Sequence, residues 1–387
     1  MPSGERGVSL LELAVAMALT LAIAVSVFAM MGPGWSGAAA EPETADMQQR
    51  LRVAAGTITR EMLVAGAGSY LGGQPVSLVA AFPPVLPFRR GTVGADPAGT
   101  FRPDAVTLIS VPVTIAQTTL RADAAPGAQT LLVAPQANCP TGLNVCGFAA
   151  GMTLLVYDDT GRYDTVTVAS VAAGSAQIEI TSRAEDSSTT TYKAGSQIVE
   201  AQLRTYYMKT DAVTQIPQLM QYDGSGNPGI PVVDHAVGLR FEYYGDPRPP
   251  VLTASGATYG PAPPPIGVRT SGYPPGENCL FAADAAGVRF ARLPALGAGD
   301  SLTALTASQL TDGPWCPDEV TPNRWDADLL RIRSVVVTVR VESALAALRG
   351  PAGPLFVNTG TSRGGAAWVP DSEIRFQVTP RNLRVSR

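Results

Sequence analysis

From Leu13 to Met31 the chain carries only two polar side chains, Thr20 and Ser26, and the residue just before this run is a carboxylate, Glu12. A helix rises about 1.5 Å per residue, so the run covers roughly 28 Å, close to the hydrocarbon thickness of a bilayer. The pattern predicts a membrane-crossing helix over 8–31. A carboxylate at the edge of such a helix costs about 2–3 kcal/mol or more to bury without a partner. That makes Glu12 the first candidate functional residue. Ala14, Ala18, Ala22 and Ser26 recur at every fourth position and form one face of small side chains, along which a second backbone can approach closely.

Ser9 and Glu12 also stand in capping-box spacing, where each side chain satisfies a free amide at the start of the helix. The two roles of Glu12 are compatible. A competing reading is conventional secretion, because Ala38-Ala39-Ala40 before Glu41 presents the small residues of a signal-peptidase site. Against it, the apolar run exceeds the roughly 7 to 15 residues of a signal core, and Arg6 is offset by Glu5 and Glu12. Arg6 precedes the span while Glu41, Glu43 and Asp46 follow it, which predicts a cytoplasmic N-terminus and a periplasmic body.

The unbroken series Arg6-Gly7-Val8-Ser9-Leu10-Leu11-Glu12, running into that helix, resembles the leader of type IV prepilins. The matching positions are Gly7, Leu10 and Glu12; Val8, Ser9 and Leu11 stand where that family usually has Phe, Thr and Ile. The resemblance implies that residues 1–7 are a leader removed by a prepilin peptidase after Gly7. It further implies that Val8 becomes a methylated N-terminus, and that Glu12 pairs with the terminal amine of a neighbouring subunit.

The chain has 387 residues, 45% of them hydrophobic and only 16% charged, enough for one membrane segment and one or two globular units. Its net charge is −4 and it has no lysine- or arginine-rich run, so the electrostatic footprint of a nucleic-acid binder is missing. The four cysteines, Cys139, Cys146, Cys279 and Cys316, all fall in the part placed outside the cytoplasm, where disulfides persist. Four thiols allow three connectivities. Cys139 and Cys146 bracket a Pro-Thr-Gly turn and Cys279 and Cys316 bracket one long excursion, which favours sequential pairing. A zinc site is the alternative, but the chain has no Cys-x-x-Cys knuckle and its sole histidine is distant in sequence.

Beyond the span, Gly32-Pro33-Gly34 predicts a hinge, with Trp35 at the height of a membrane interface. Helical periodicity resumes after Pro42: Met47, Leu51, Ala54, Ile58, Met62 and Ala65 fall at spacings of three and four. Residues 32–66 are therefore a hinge and an amphipathic helix ended by Gly66 and Gly68, and 67–104 a loop region. Three segments alternate as strands: Leu239, Phe241 and Tyr243; Val335, Val337, Val339 and Val341; and Ile374, Phe376 and Val378. Leu203 to Met208 adds a fourth. The expected fold class is α+β, with a long N-terminal helix on an antiparallel sheet built within 201–387.

Two segments exceed that plan. Over 105–200 short β runs (106–109, 130–133, 152–157, 164–171 and 177–181) alternate with turns and predict an inserted small sandwich or barrel. The excursion 246–325 is rich in proline and glycine and is closed by the Cys279 to Cys316 pairing. Within the pilin class, the length and the strands Gly238–Tyr244, Leu330–Val335 and Val378–Leu383 resemble PilW-type minor pilins, with GspJ-type pseudopilins as relatives. One departure is that both cysteine pairs lie in insertions rather than near the C-terminus, unlike many major pilins.

Catalytic patterns are few. Gly360-Thr361-Ser362-Arg363-Gly364 matches a nucleophile elbow, but Gly364 to Pro370 does not read as a helix and no histidine follows. His235 stands beside Asp234 without a nucleophile or ligand cluster nearby in sequence. Asp158, Asp159 and Asp164, and separately Asp223, Ser225 and Asn227, surround turns that offer oxygens to Ca²⁺ but lack an EF-hand's ligand order. The expectation is a minor pilin that is not an enzyme and needs no cofactor. Its expected partners are other pilin subunits, the prepilin peptidase and the inner membrane, with no nucleic acid. The alternatives are a type II secretion pseudopilin and a conventionally secreted β-rich binding protein or hydrolase.

Overall fold

The computed structural model describes residues 9–70, 76–87, 104–183, 191–224, 229–317, 324–349 and 369–383, with 30–39 as backbone only. A single helix, α1 (Leu10–Val64), runs for 55 residues, about 80 Å at the usual rise. The hinge expected at Gly32-Pro33-Gly34 is absent: the backbone stays helical through all three and through Pro42. An interior proline forfeits one hydrogen bond and crowds the preceding turn, at about 3 kcal/mol. A break would leave up to four carbonyls and four amides without helical partners, a larger loss in an apolar environment.

The two halves of α1 meet different surroundings. Leu10–Ala29 is long and apolar enough to cross a membrane and lies almost wholly exposed, Phe28 at 75%. From Met47 onward, the face carrying Leu51, Ala54, Ile58 and Met62 is buried, as its spacing predicts. The helix ends at Ala65, and Gly66 turns the chain with φ +80°. A Cβ at Gly66 would lie 2.8 Å from Leu383, so glycine is needed both for the turn and for this close approach.

Two antiparallel sheets share one core with the buried half of α1. The first has the order Thr303–Leu305, Ala236–Gly245, Ile332–Val341, Ser372–Val378. Its cross-strand register stacks Phe241 on Val337 on Phe376 and Leu239 on Val339 on Ile374. The second sheet orders Val85–Leu86, Ala105–Ser110, Gln202–Thr210, Pro217–Tyr222 and Ile230–Asp234. The structure therefore places Ala105–Ser110 in the main α+β body, paired with Gln202–Thr210, rather than in the inserted unit. All six of its residues are buried, so its sequence carries no alternation that would assign it to a particular sheet. Leu203 to Met208 likewise lies in this second sheet, not beside the three alternating strands.

The inserted unit is a six-stranded sheet, ordered Gln117–Thr119, Gln197–Glu200, Thr153–Tyr157, Tyr163–Ala172, Gln177–Arg183, Thr130–Leu132. Its two edges meet: Leu120 bridges Val133, Arg121 N–H donates to the Leu132 carbonyl and Ala134 N–H to the Thr119 carbonyl. The sheet thus closes into a barrel, filled by Leu131, Leu154, Val166, Ile178, Tyr192 and Ile198 among others. Closure leaves no open edge to aggregate.

The excursion 246–325 packs into the main core through Tyr259, Tyr273, Leu280, Phe281 and Trp325. Arg331, fully buried, pairs with Asp328 and donates to the backbone carbonyls of Asp246, Arg248 and Pro294, tying the start and the middle of the excursion to the start of strand Ile332–Val341. The disulfides are Cys139–Cys146 and Cys279–Cys316, the sequential pairing.

Candidate assembly site on the N-terminal helix

Ser9 caps α1. Glu12 N–H donates to Ser9 Oγ at 3.2 Å, and Ser9 N–H returns a 3.0 Å bond to Glu12 Oε2. Both halves of the capping box are therefore made, and they occupy one carboxylate oxygen. Glu12 Oε1 takes no hydrogen bond among the described residues and faces solvent, leaving it able to receive an external ammonium. Gly7 and Val8, where the leader would be cut and methylated, lie outside the described residues.

Between the cap and Ala29 the two polar side chains both bond the helix's own backbone. Thr20 Oγ1 donates to the Ala16 carbonyl and Ser26 Oγ to the Ala22 carbonyl, each at 2.7 Å. Ala14, Ala18, Ala22 and Ser26 are all exposed along one face. An isolated apolar rod of this kind is stable only against lipid or other apolar helices.

Where the rod joins the body, a polar cluster fixes its direction. Glu43 accepts hydrogen bonds from Ser343 Oγ and Leu345 N–H, and Arg50 pairs with Asp46 and reaches the Glu342 carbonyl. Partial burial pushes the Glu43 carboxyl up, but hydrogen bonds from Ser343, Leu345 and Ala344 and the charge of Arg50 outweigh it and hold the group below its usual value. Behind this contact the buried Glu342 carboxylate lies 3.1 Å from Arg349 and 3.5 Å from His235. His235, with φ 56°, is the corner residue at which the chain passes from one sheet to the other. Sequence spacing gave no sign of this cluster, because Glu43 and Ser343 are 300 positions apart.

The other candidates find local explanations. Asp158 Oδ1 accepts from Thr160 N–H, Thr160 Oγ1 and Arg162 N–H, closing a hairpin turn. Asp164 is fully buried within its strand, and among the described residues no three His, Cys, Asp or Glu side chains gather as a metal site. Ser225, Asn227 and the Gly360 to Gly364 segment lie outside the described residues. The chain matches no protein-family model and no curated protein sequence.

Proposed function

We propose that the chain is a non-enzymatic structural subunit, a minor pilin of a type IV pilus. In this reading a prepilin peptidase cuts after Gly7 and methylates Val8. Glu12 then neutralises the terminal amine of an adjacent subunit, and the apolar rod moves from the inner membrane into the filament bundle. The body faces the periplasm before assembly and the filament surface afterwards, with the barrel and the excursion available to partners. The observation that carries the reading is one unbroken helix with two environments: an exposed apolar half, Leu10–Ala29, and a half buried in an α+β body. An exposed apolar half of this length fits a segment covered by lipid or by neighbouring helices, and its continuity with the core helix favours retention in the mature chain over removal as a signal.

Mass spectrometry of the mature N-terminus tests this. Methylated Val8 is the expected terminus. A terminus at Glu41 would mean ordinary secretion and would overturn the proposal.

A further inference from the structure

A cleft of 1110 Å³ opens where three parts of the chain meet: the 3₁₀ turn Leu78–Ala80, one end of the barrel, and the excursion. The barrel contributes the hairpin turn at Asp158 to Arg162 and the segment Lys193 to Gln197; the excursion contributes Ser255 to Ala257 and Arg269 to Gly272. Both segments that exceed the minimal pilin-like body thus converge on one surface. The volume lies just above the range of about 300–1000 Å³ typical of sites for single small molecules, so it suits a short oligomer.

The lining decides the ligand's chemistry. Charges cancel: the Lys193 ammonium is 2.7 Å from Asp123, Arg162 acts on Asp158, and Arg269 and Asp159 leave one charge of each sign. A polyanion therefore gains no net attraction here. Among the described residues the lining holds two large apolar or aromatic side chains, Val76 and Tyr157, and otherwise consists mainly of alanine, glycine and hydroxyl residues, including Thr160, Ser196, Ser255, Thr270 and Ser271. Gly195 and Gly256, where a Cβ would meet nothing within 4 Å, let a polymer approach the backbone closely. On the barrel wall, Gln197 presents a buried Oε1 that accepts no hydrogen bond among the described residues, an acceptor matched to a hydroxyl donor.

We propose that this cleft binds a neutral, hydroxyl-rich oligosaccharide, held by hydrogen bonds from both insertions. The site stands apart from the assembly helix, so it holds whether or not the chain enters a filament.

The test uses the full chain in detergent on an array of neutral hexose, pentose and N-acetylhexosamine oligosaccharides, beside sulfated and uronate-bearing oligosaccharides, acidic peptides and single-stranded oligonucleotides. Binding to at least one neutral oligosaccharide is expected, weakened about tenfold or more by Gln197→Ala and abolished by Ser255→Trp, which fills the cleft from an exposed hairpin. Arg269→Gln, which removes one of the cancelling charges, should change it far less. Unchanged circular dichroism confirms that each variant is folded. Binding only to the charged probes, no binding to any neutral oligosaccharide, or binding indifferent to Ser255→Trp would each overturn the proposal.

Discussion

Ser343 Oγ donates a 2.5 Å hydrogen bond to Glu43 Oε2, joining the end of the central strand to the point where α1 leaves the body. Leu345 N–H adds a second bond to the same oxygen at 3.3 Å. The apolar rod is therefore not only continuous with the core helix but braced sideways at its exit, so force on the rod passes into the strand Ile332–Val341.

Replacing Glu43 with Gln should cost about 1 kcal/mol of body stability, since a charge-assisted pair of bonds becomes neutral. The Glu43 carboxyl is held below its usual value of 4.5, so its contribution is fully present above pH 4.5 and is lost as pH falls through the lower folded value. Denaturant unfolding of both forms across pH checks this: the gap between wild type and variant should close in acid, and a gap that instead widens would refute the bracing role.

The two halves of α1 should respond oppositely to truncation. Ile58→Ala removes a fully buried side chain and should destabilise the body by about 2–5 kcal/mol. Leu21, 64% exposed, lies on the half of the helix outside the body, so Leu21→Ala should leave unfolding of the detergent-solubilised chain unchanged. Parallel unfolding curves for the two variants would show whether the rod packs back on its own body.

Asp326 predicts a pH dependence of the opposite sign. Burial pushes its carboxyl up to about 7 from 3.8, against N–H donation from Gly313 and Asp328. Below pH 3.8 both folded and unfolded chains hold the proton; above it the unfolded chain releases its proton first, which favours unfolding. This group therefore removes stability progressively from about pH 4 to about pH 7, on the order of a few kcal/mol. In Asp326→Asn that part of the slope should vanish, leaving the variant relatively most disfavoured in acid, where it still lacks one acceptor for the two N–H donors. A slope identical in both proteins would assign the titration elsewhere.

Legibility in the sequence followed the range over which each signal acts. The core face of α1 was readable because Met47 to Met62 repeat at helical spacing within one segment. The strands around Phe241, Val337 and Phe376 were readable because one buried face imposes alternation. Ala105–Ser110 does not reveal its sheet in the sequence, because burial on both faces erases that alternation. Short strands such as Gln117–Thr119, at the closing edge of the barrel, and Gln197–Glu200 beside it are too brief for any period to show. The proline rule misjudged Gly32-Pro33-Gly34 because a local cost was set against no local alternative, whereas the loss avoided is that of two helix ends. The bracing of Glu43 and the cleft between the insertions depend on contacts that only the tertiary fold creates.

Glu12 carries the sharpest prediction. Its capping bond to Ser9 uses Oε2 alone, so the residue can stabilise its own helix and still present Oε1 to a neighbour's amine. Loss of the cap should cost the helix only about 0.5–2 kcal/mol, little beside the insertion energy of the 20-residue span Leu10–Ala29. Glu12→Ala should therefore reach the membrane and be cleaved at wild-type levels, yet fail to enter filaments. Glu12→Gln separates the two roles: it keeps an oxygen for the Ser9 amide and so restores the cap, but it cannot neutralise an ammonium. Quantifying each variant in membranes and in sheared filaments reads both. If Gln restores incorporation, helix capping rather than charge pairing is what assembly requires, and the pairing step must be abandoned.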